Sequence, residues 1–266
     1  MSPSLHGRTA IVTGAAQGIG LSIARLLVER GANVMFADAD EAALEAGTSD
    51  YDTAAGPVRW FAGQMAERLA MANLLSATLD AFDRVDILVN THRFVRESDP
   101  LQTDPAMLED MLRQNMTAGL RLSQMVAKRM IRQAGDEPDT AEAGAIVNVS
   151  AIARQLPSML DYSIACAAQQ QATRGLALAL APHRIRVNGV AFASVMSHEL
   201  KSALRATPGL RDRVIAGTPL ARIAPPEELA ETVLYLAGEG ARFVTGQIVT
   251  VDGGRSLTDP VGGPLT

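Results

Sequence analysis

Thr13-Gly14-Ala15-Ala16-Gln17-Gly18-Ile19-Gly20 follows a short apolar run at 9–13 and opens a helical stretch at 19–28 that Gly31 closes. Glycines at such a junction let the backbone turn tightly and approach a diphosphate. The helix start behind them offers unpaired N–H groups and a partial positive charge. A glycine-rich turn alone is a weak signal, since such turns also serve as plain connections. Here a second apolar run, 32–37, ends beside an acid, Asp38. A carboxylate there accepts the hydroxyls of an adenosine ribose and repels a 2′-phosphate, and neither Ala15 nor Ala39 offers that phosphate a base. Gly14, Gln17, Gly18, Ile19, Gly20 and Asp38 therefore form a candidate dinucleotide site, with NAD preferred over NADP. The plainer alternative is that the glycines build a turn and Asp38 caps a helix.

Working outward, further apolar runs at 58–61, 85–89, 145–149, 186–190 and 247–251 alternate with helical stretches. Near-continuous apolar strands separated by helices indicate an α/β fold: a doubly wound, Rossmann-type parallel sheet of seven strands covered on both faces. The stretch 106–131 repeats Met107, Met111, Met116, Leu120, Leu122, Met125, Val126 and Met130 near helical spacing, which marks a core-facing helix. The stretch 163–180 is an alanine-rich helix, and 134–144 is a polar surface loop. No internal repeat or composition break divides the 266 residues, so a single domain is expected over 1–266.

A net charge of −5 gives no basic surface for nucleic acid or anionic membrane. The single cysteine, Cys166, cannot form an internal disulfide, and His6, His92, His183 and His198 lack the spacing of a zinc site, so no metal is expected. With neither a signal-peptide layout near the start nor a long apolar run, a cytoplasmic location is the expectation.

Taken in order, these motifs resemble the short-chain dehydrogenase/reductase family over nearly the whole chain. The Thr-Gly-x-x-x-Gly-x-Gly turn matches in full. Asp86 to Asn90 is similar to the family's fourth strand and 146–150 to its fifth; Arg186 to Val190 and Thr245 to Gly254 are similar to the sixth and seventh. Asn115 stands at the helical active-site asparagine and Tyr162 at the catalytic tyrosine. The resemblance implies a nicotinamide cofactor at the C-terminal strand ends, with Asn90 beside it, a small-molecule alcohol or carbonyl substrate, and a homodimer or homotetramer. It also implies a substrate lid at about 194–222, whose Val195, Met196, Leu200, Leu204 and Leu210 suggest an apolar roof. In the family's mechanism the tyrosine is the general acid or base, a serine bonds the substrate oxygen, and a lysine four residues after the tyrosine lowers its pKa and binds the nicotinamide ribose.

Several positions depart from that pattern. Tyr162-Ser163-Ile164-Ala165-Cys166 carries a thiol where the lysine belongs. An unassisted tyrosine has a pKa of about 10, and an adjacent cation lowers it by roughly 1–3 units. Of the family's paired serines, the second reads Ala151; Ser150 is the remaining candidate because the interval to Tyr162 is shorter than usual. The small residues after strand four are replaced by Thr91-His92-Arg93, which would crowd the cofactor, and the Pro-Gly after strand six by Phe192-Ala193. Gly63 takes the place of the aspartate that meets the adenine. Arg93 and Arg154 are the cations that reach the edge of such a site, whereas Lys128 and Lys201 do not map to it; Cys166 is expected to be inert packing. Two functions remain open: an NAD-dependent oxidoreductase with severely impaired standard catalysis, and a catalytically inactive NAD-binding, oligomer-partner or regulatory protein.

Overall fold

The computed structural model describes residues 4–101, 104–135, 142–153 and 157–258. Seven parallel strands, β1 (Thr9–Thr13), β2 (Asn33–Asp38), β3 (Val58–Ala62), β4 (Ile87–Asn90), β5 (Gly144–Ala151), β6 (Ile185–Phe192) and β7 (Ile248–Val251), form one sheet in the order β3-β2-β1-β4-β5-β6-β7. This is the doubly wound, single-domain architecture expected from the apolar runs. The order reverses direction between β1 and β4, and the crevice outside the strand ends at such a switch point is where α/β sheets bind ligands. Register brings the ends level: Thr13 pairs with Ala37 on one side and with Asn90 on the other.

The helices are α1 (Gly18–Glu29), α2 (Glu41–Thr48), α3 (Arg68–Phe82), α4 (Pro105–Leu112), α5 (Ala118–Ala134), α6 (Leu160–Leu180), α7 (His198–Ala206), α8 (Leu210–Ala216) and α9 (Pro226–Ala237). One core packs Ile23 and Leu27 of α1 with Leu229 and Val233 of α9 against one face of the sheet. The other packs Met71 and Leu74 of α3 with Leu122, Val126 and Met130 of α5 against the opposite face. Met111, Leu122 and Met130 are fully buried, as a core-facing methionine stripe requires.

The helix expected over 106–131 is not continuous. A π turn at Arg113–Thr117 separates α4 from α5, and Asn115 sits within it. Such a turn inserts a residue into the helical ladder and re-aims a side chain, here the Asn115 amide. Strands β5 and β6 run past the expected ends at 149 and 190, and so include Ser150, Ala151 and Phe192. Most of the predicted polar loop at 134–144, and Arg154, lie outside the described residues. The segment 194–222, expected as a lid, holds α7 and α8; Ser197 caps α7 by accepting a hydrogen bond from the Leu200 amide at 3.2 Å.

Candidate active site

The glycine turn is built for close backbone approach. Gly14 and Gly18 adopt φ of +66° and +56°, a region costly for residues with a Cβ. A Cβ on Gly20 would stand 2.0 Å from the Gly14 carbonyl oxygen, so α1 can start against the turn only with glycine there. Thr13 and Thr91 close the floor: Thr13 Oγ1 accepts from the Thr91 amide at 3.2 Å, and Thr91 Oγ1 donates to the Thr13 carbonyl. Asp38 is held in place at the end of β2. Its Oδ1 accepts from the Ala39 amide at 2.7 Å, and its Oδ2 from the Ala16 amide at 3.2 Å. Gly14, Gln17, Gly18, Ile19, Gly20 and Asp38 all line one cleft of about 140 Å³.

Asn90 is not among the residues lining that cleft. Its side chain donates to Ser123 Oγ at 3.0 Å and to Asn148 Oδ1 at 2.8 Å, on the sheet face that carries α5. Strand alternation accounts for this: successive residues face opposite sides, and the cleft side at this strand end belongs to Thr91. The same alternation governs β5. Val149 lines the cleft, while Ser150 Oγ turns toward α6 and accepts from Gln170 Nε2 at 3.3 Å. The residue that packs with Tyr162 is Ala151, which has no hydroxyl.

Asn115 holds the segment that follows β4. Its Oδ1 accepts from the Phe94 amide and its Nδ2 donates to the Phe94 carbonyl, both at 2.8 Å. That clamp fixes the backbone next to Arg93. The Arg93 guanidinium stacks over the Phe192 ring at 4.8 Å and pairs with Glu199 at the start of α7, at 2.5 Å. The other residue expected to crowd the cofactor, His92, also lines the cleft, and its Nε2 lies 3.2 Å from Gln114 Oε1. From the segment 194–222, His198 and Glu199 line this cleft. His198 rests against Gly18, its backbone nitrogen 3.2 Å from where a Cβ on that glycine would lie.

Tyr162 and Cys166 occupy one face of α6, one turn apart, and are 7 % and 2 % exposed. Both side chains belong to one buried cluster with Met111 and Ala165, against which Ala151 packs. Burial above all, and then the cysteine itself, push the phenol well above its ordinary value of 10.0; Arg93 pulls it down by less. Burial also raises the thiol above 9.0, against the opposing pull of Tyr162, the Ala151 backbone and Arg93. Glu199 feels burial too, but Arg93, the α7 backbone and Ser197 together outweigh it and hold the carboxylate below 4.5. Near neutral pH the site thus contains a protonated phenol, a protonated thiol and an arginine whose charge is already balanced. Among the described residues no cluster of histidine, cysteine or acidic side chains is placed to hold a metal, and no helix is long and apolar enough to cross a membrane.

Comparison with known proteins agrees with this geometry. Residues 14–256 match the family model described as Enoyl-(Acyl carrier protein) reductase. The cis-4-hydroxycyclohexanecarboxylate dehydrogenase of Sinomonas cyclohexanicum is 35 % identical over 257 residues, covering 96 % of this chain and 98 % of that protein. The 3-oxoacyl-(acyl-carrier-protein) reductase FabG of Chlamydia trachomatis is 30 % identical over 259 residues, covering 96 % and 100 %. A crystal structure of a gluconate 5-dehydrogenase from Burkholderia cenocepacia, in complex with NADP and tartrate, superposes with a TM-score of 0.85 at 26 % identity, covering 96 % of this chain and 98 % of the other. From the ordered strand motifs, the sheet order and these full-length matches, the chain belongs to the short-chain dehydrogenase/reductase family of oxidoreductases, which bind nicotinamide cofactors.

Proposed function

We propose that this chain binds a nicotinamide dinucleotide at its glycine turn, NAD in preference to NADP, and that its alcohol–carbonyl chemistry is severely slowed. The observation that carries this reading is the buried Tyr162–Cys166 pair, in which a neutral thiol stands where an ammonium would assist the phenol. When bound, such a cofactor supplies or accepts a hydride. The chain's own contributions follow from its residues. The amides at the start of α1 face the diphosphate, and the glycines leave it room. Asp38, already oriented by three backbone amides, accepts the adenosine ribose hydroxyls. Tyr162 would pass a proton to or from the substrate oxygen, and its raised pKa keeps that proton on the phenol. Ala151 has no hydroxyl with which to hold the same oxygen. General acid–base groups of this kind each contribute about 10²–10⁴-fold, so losing two weakens turnover greatly.

The relatives named for a hydroxycyclohexanecarboxylate and a 3-oxoacyl group act at alcohol or ketone carbons, which supports that substrate class here. Preference for NAD rests on the Asp38 carboxylate, even though the gluconate 5-dehydrogenase carries NADP. A second reading, an inactive nucleotide-binding partner in a homodimer or homotetramer, is favoured by apolar side chains left bare. Leu178 on α6 is 80 % exposed, and Phe243 and Leu257, which flank β7, are fully or nearly so.

Titration of NADH and NADPH followed by cofactor fluorescence, then turnover with a panel of ketones and secondary alcohols, tests the proposal. We expect NADH to bind at least about tenfold more tightly than NADPH, Asp38→Ser to narrow that gap, and no robust turnover to appear. Ordinary family rates from the unmodified protein, or equal affinity for both nucleotides, would refute it.

A further inference from the structure

The cleft holds a part-buried guanidinium, Arg93, whose one acceptor among the described residues is Glu199 on α7. Arg93 has 13 % of its side chain exposed, beneath α7 and over Phe192. A guanidinium presents a planar fork of N–H donors. In Arg93 a single one, Nη2, has a protein acceptor among the described residues, Glu199 Oε2. Among the described residues the other donors of the fork meet no acceptor, and Arg93 lines the cleft. The two partners are also unequally held. The backbone beside Arg93 is clamped through Phe94 by the Asn115 amide. Glu199 is 41 % exposed and belongs to the first turn of the nine-residue α7. Moving Glu199 outward returns a carboxylate to water, which solvates it; leaving the largely covered Arg93 without an anion costs more, because a poorly solvated charge then lacks a partner.

We propose that Arg93 is the binding residue for an oxyanion on the ligand, a carboxylate or a phosphate, and that Glu199 is an internal stand-in which the ligand displaces. The proposal rests on the cleft being the ligand site. A carboxylate or phosphate can take the fork through two parallel hydrogen bonds, where Glu199 uses one. It would also open the lid from α1, because Glu199 and the His198 that rests on Gly18 are adjacent on α7. A neutral ligand of the same shape gains none of this. The position that supplies the guanidinium is one where the family resemblance leads one to expect a small residue, so the feature belongs to this chain's own site.

Calorimetry on the full chain tests the proposal with four probes: cyclohexanecarboxylate, its uncharged carboxamide, ADP and NADH. We expect Glu199→Gln to bind an oxyanion at least about tenfold more tightly than the unmodified chain, Arg93→Gln to lose that oxyanion's binding, and the carboxamide to respond to neither substitution. A response to cyclohexanecarboxylate identifies a carboxylate as the natural group; a response to ADP alone identifies the phosphate. If Arg93→Gln does not fold, Arg93→Lys, which keeps the charge without the fork, should give intermediate affinity. Equal affinities of all variants for cyclohexanecarboxylate and for ADP, or no binding of either to any of them, would overturn the proposal. NADH binding to no variant while cyclohexanecarboxylate follows the expected pattern would instead sink the dinucleotide reading and leave this one standing.

Discussion

Replacing Cys166 with lysine and Ala151 with serine in one chain should raise carbonyl reduction with NADH by about 10²–10⁴-fold over the unmodified protein. Tyr162 already lies on the same face of α6 as Cys166, one turn away, and packs against Ala151. The double substitution therefore changes charge and hydrogen bonding without moving the phenol. An ammonium beside a phenol lowers its pKa by roughly 1–3 units, which raises the ionised fraction at neutral pH by the same number of decades. The serine hydroxyl adds a donor for the substrate oxygen. The two effects will not add independently, because residues of one catalytic unit are coupled. Tyr162→Phe in the repaired chain should abolish the gain, since the phenol is the group being repaired. A repaired chain that gains nothing would move the fault from α6 to Arg93 and Glu199 in the cleft.

Gly20→Ala should remove dinucleotide binding and destabilise the fold by about 1–3 kcal/mol, the usual cost of forcing extra atoms into a packed site. The new methyl would lie 2.0 Å from the Gly14 carbonyl oxygen and 2.6 Å from Thr91 Oγ1. Both belong to the turn that faces the diphosphate, so the turn itself must shift. For a domain of this size each kcal/mol lowers the melting temperature by about 2–4 °C. Gly175→Ala is the contrasting case. It lies in α6 with nothing within 4 Å of the added Cβ. There alanine should stabilise the helix by up to about 1 kcal/mol and leave NADH binding unchanged. Thermal melts and NADH titration of the two variants separate a steric role for Gly20 from a general intolerance of alanine.

The sheet and its switch point were legible in the sequence because buried parallel strands are written as continuous apolar runs, and the glycine turn gained meaning from the strand before it, the helix after it and Asp38 at the end of β2. The thiol at 166 was legible as a departure only through the resemblance, whose pattern sets a lysine four residues after the tyrosine. Other features were hidden for physical reasons. The π turn at Asn115 leaves the apolar period of α4 and α5 almost intact, so the helix reads as continuous. The hydrogen-bond partners of Asn90 and Ser150 turned on strand phase: a side chain one position along a strand faces the opposite side, and both point into helix-facing networks. Glu199 gave no signal because its partner is 106 residues distant in the chain, and a lid acid reads as a solvated charge until the fold brings Arg93 beneath it. The signal that existed was the bulky arginine itself, standing where the resemblance called for a small residue.

The most direct test is the ionisation of Tyr162, followed by ultraviolet difference titration of the unmodified chain against its Tyr162→Phe variant. With burial dominant and a thiol for a neighbour, the phenol should stay protonated through and beyond the ordinary tyrosine value of 10.0, while the Cys166→Lys chain should titrate at lower pH. Should Tyr162 ionise near neutral pH with Cys166 in place, some cation must already be assisting it, and impaired catalysis would no longer follow from the structure.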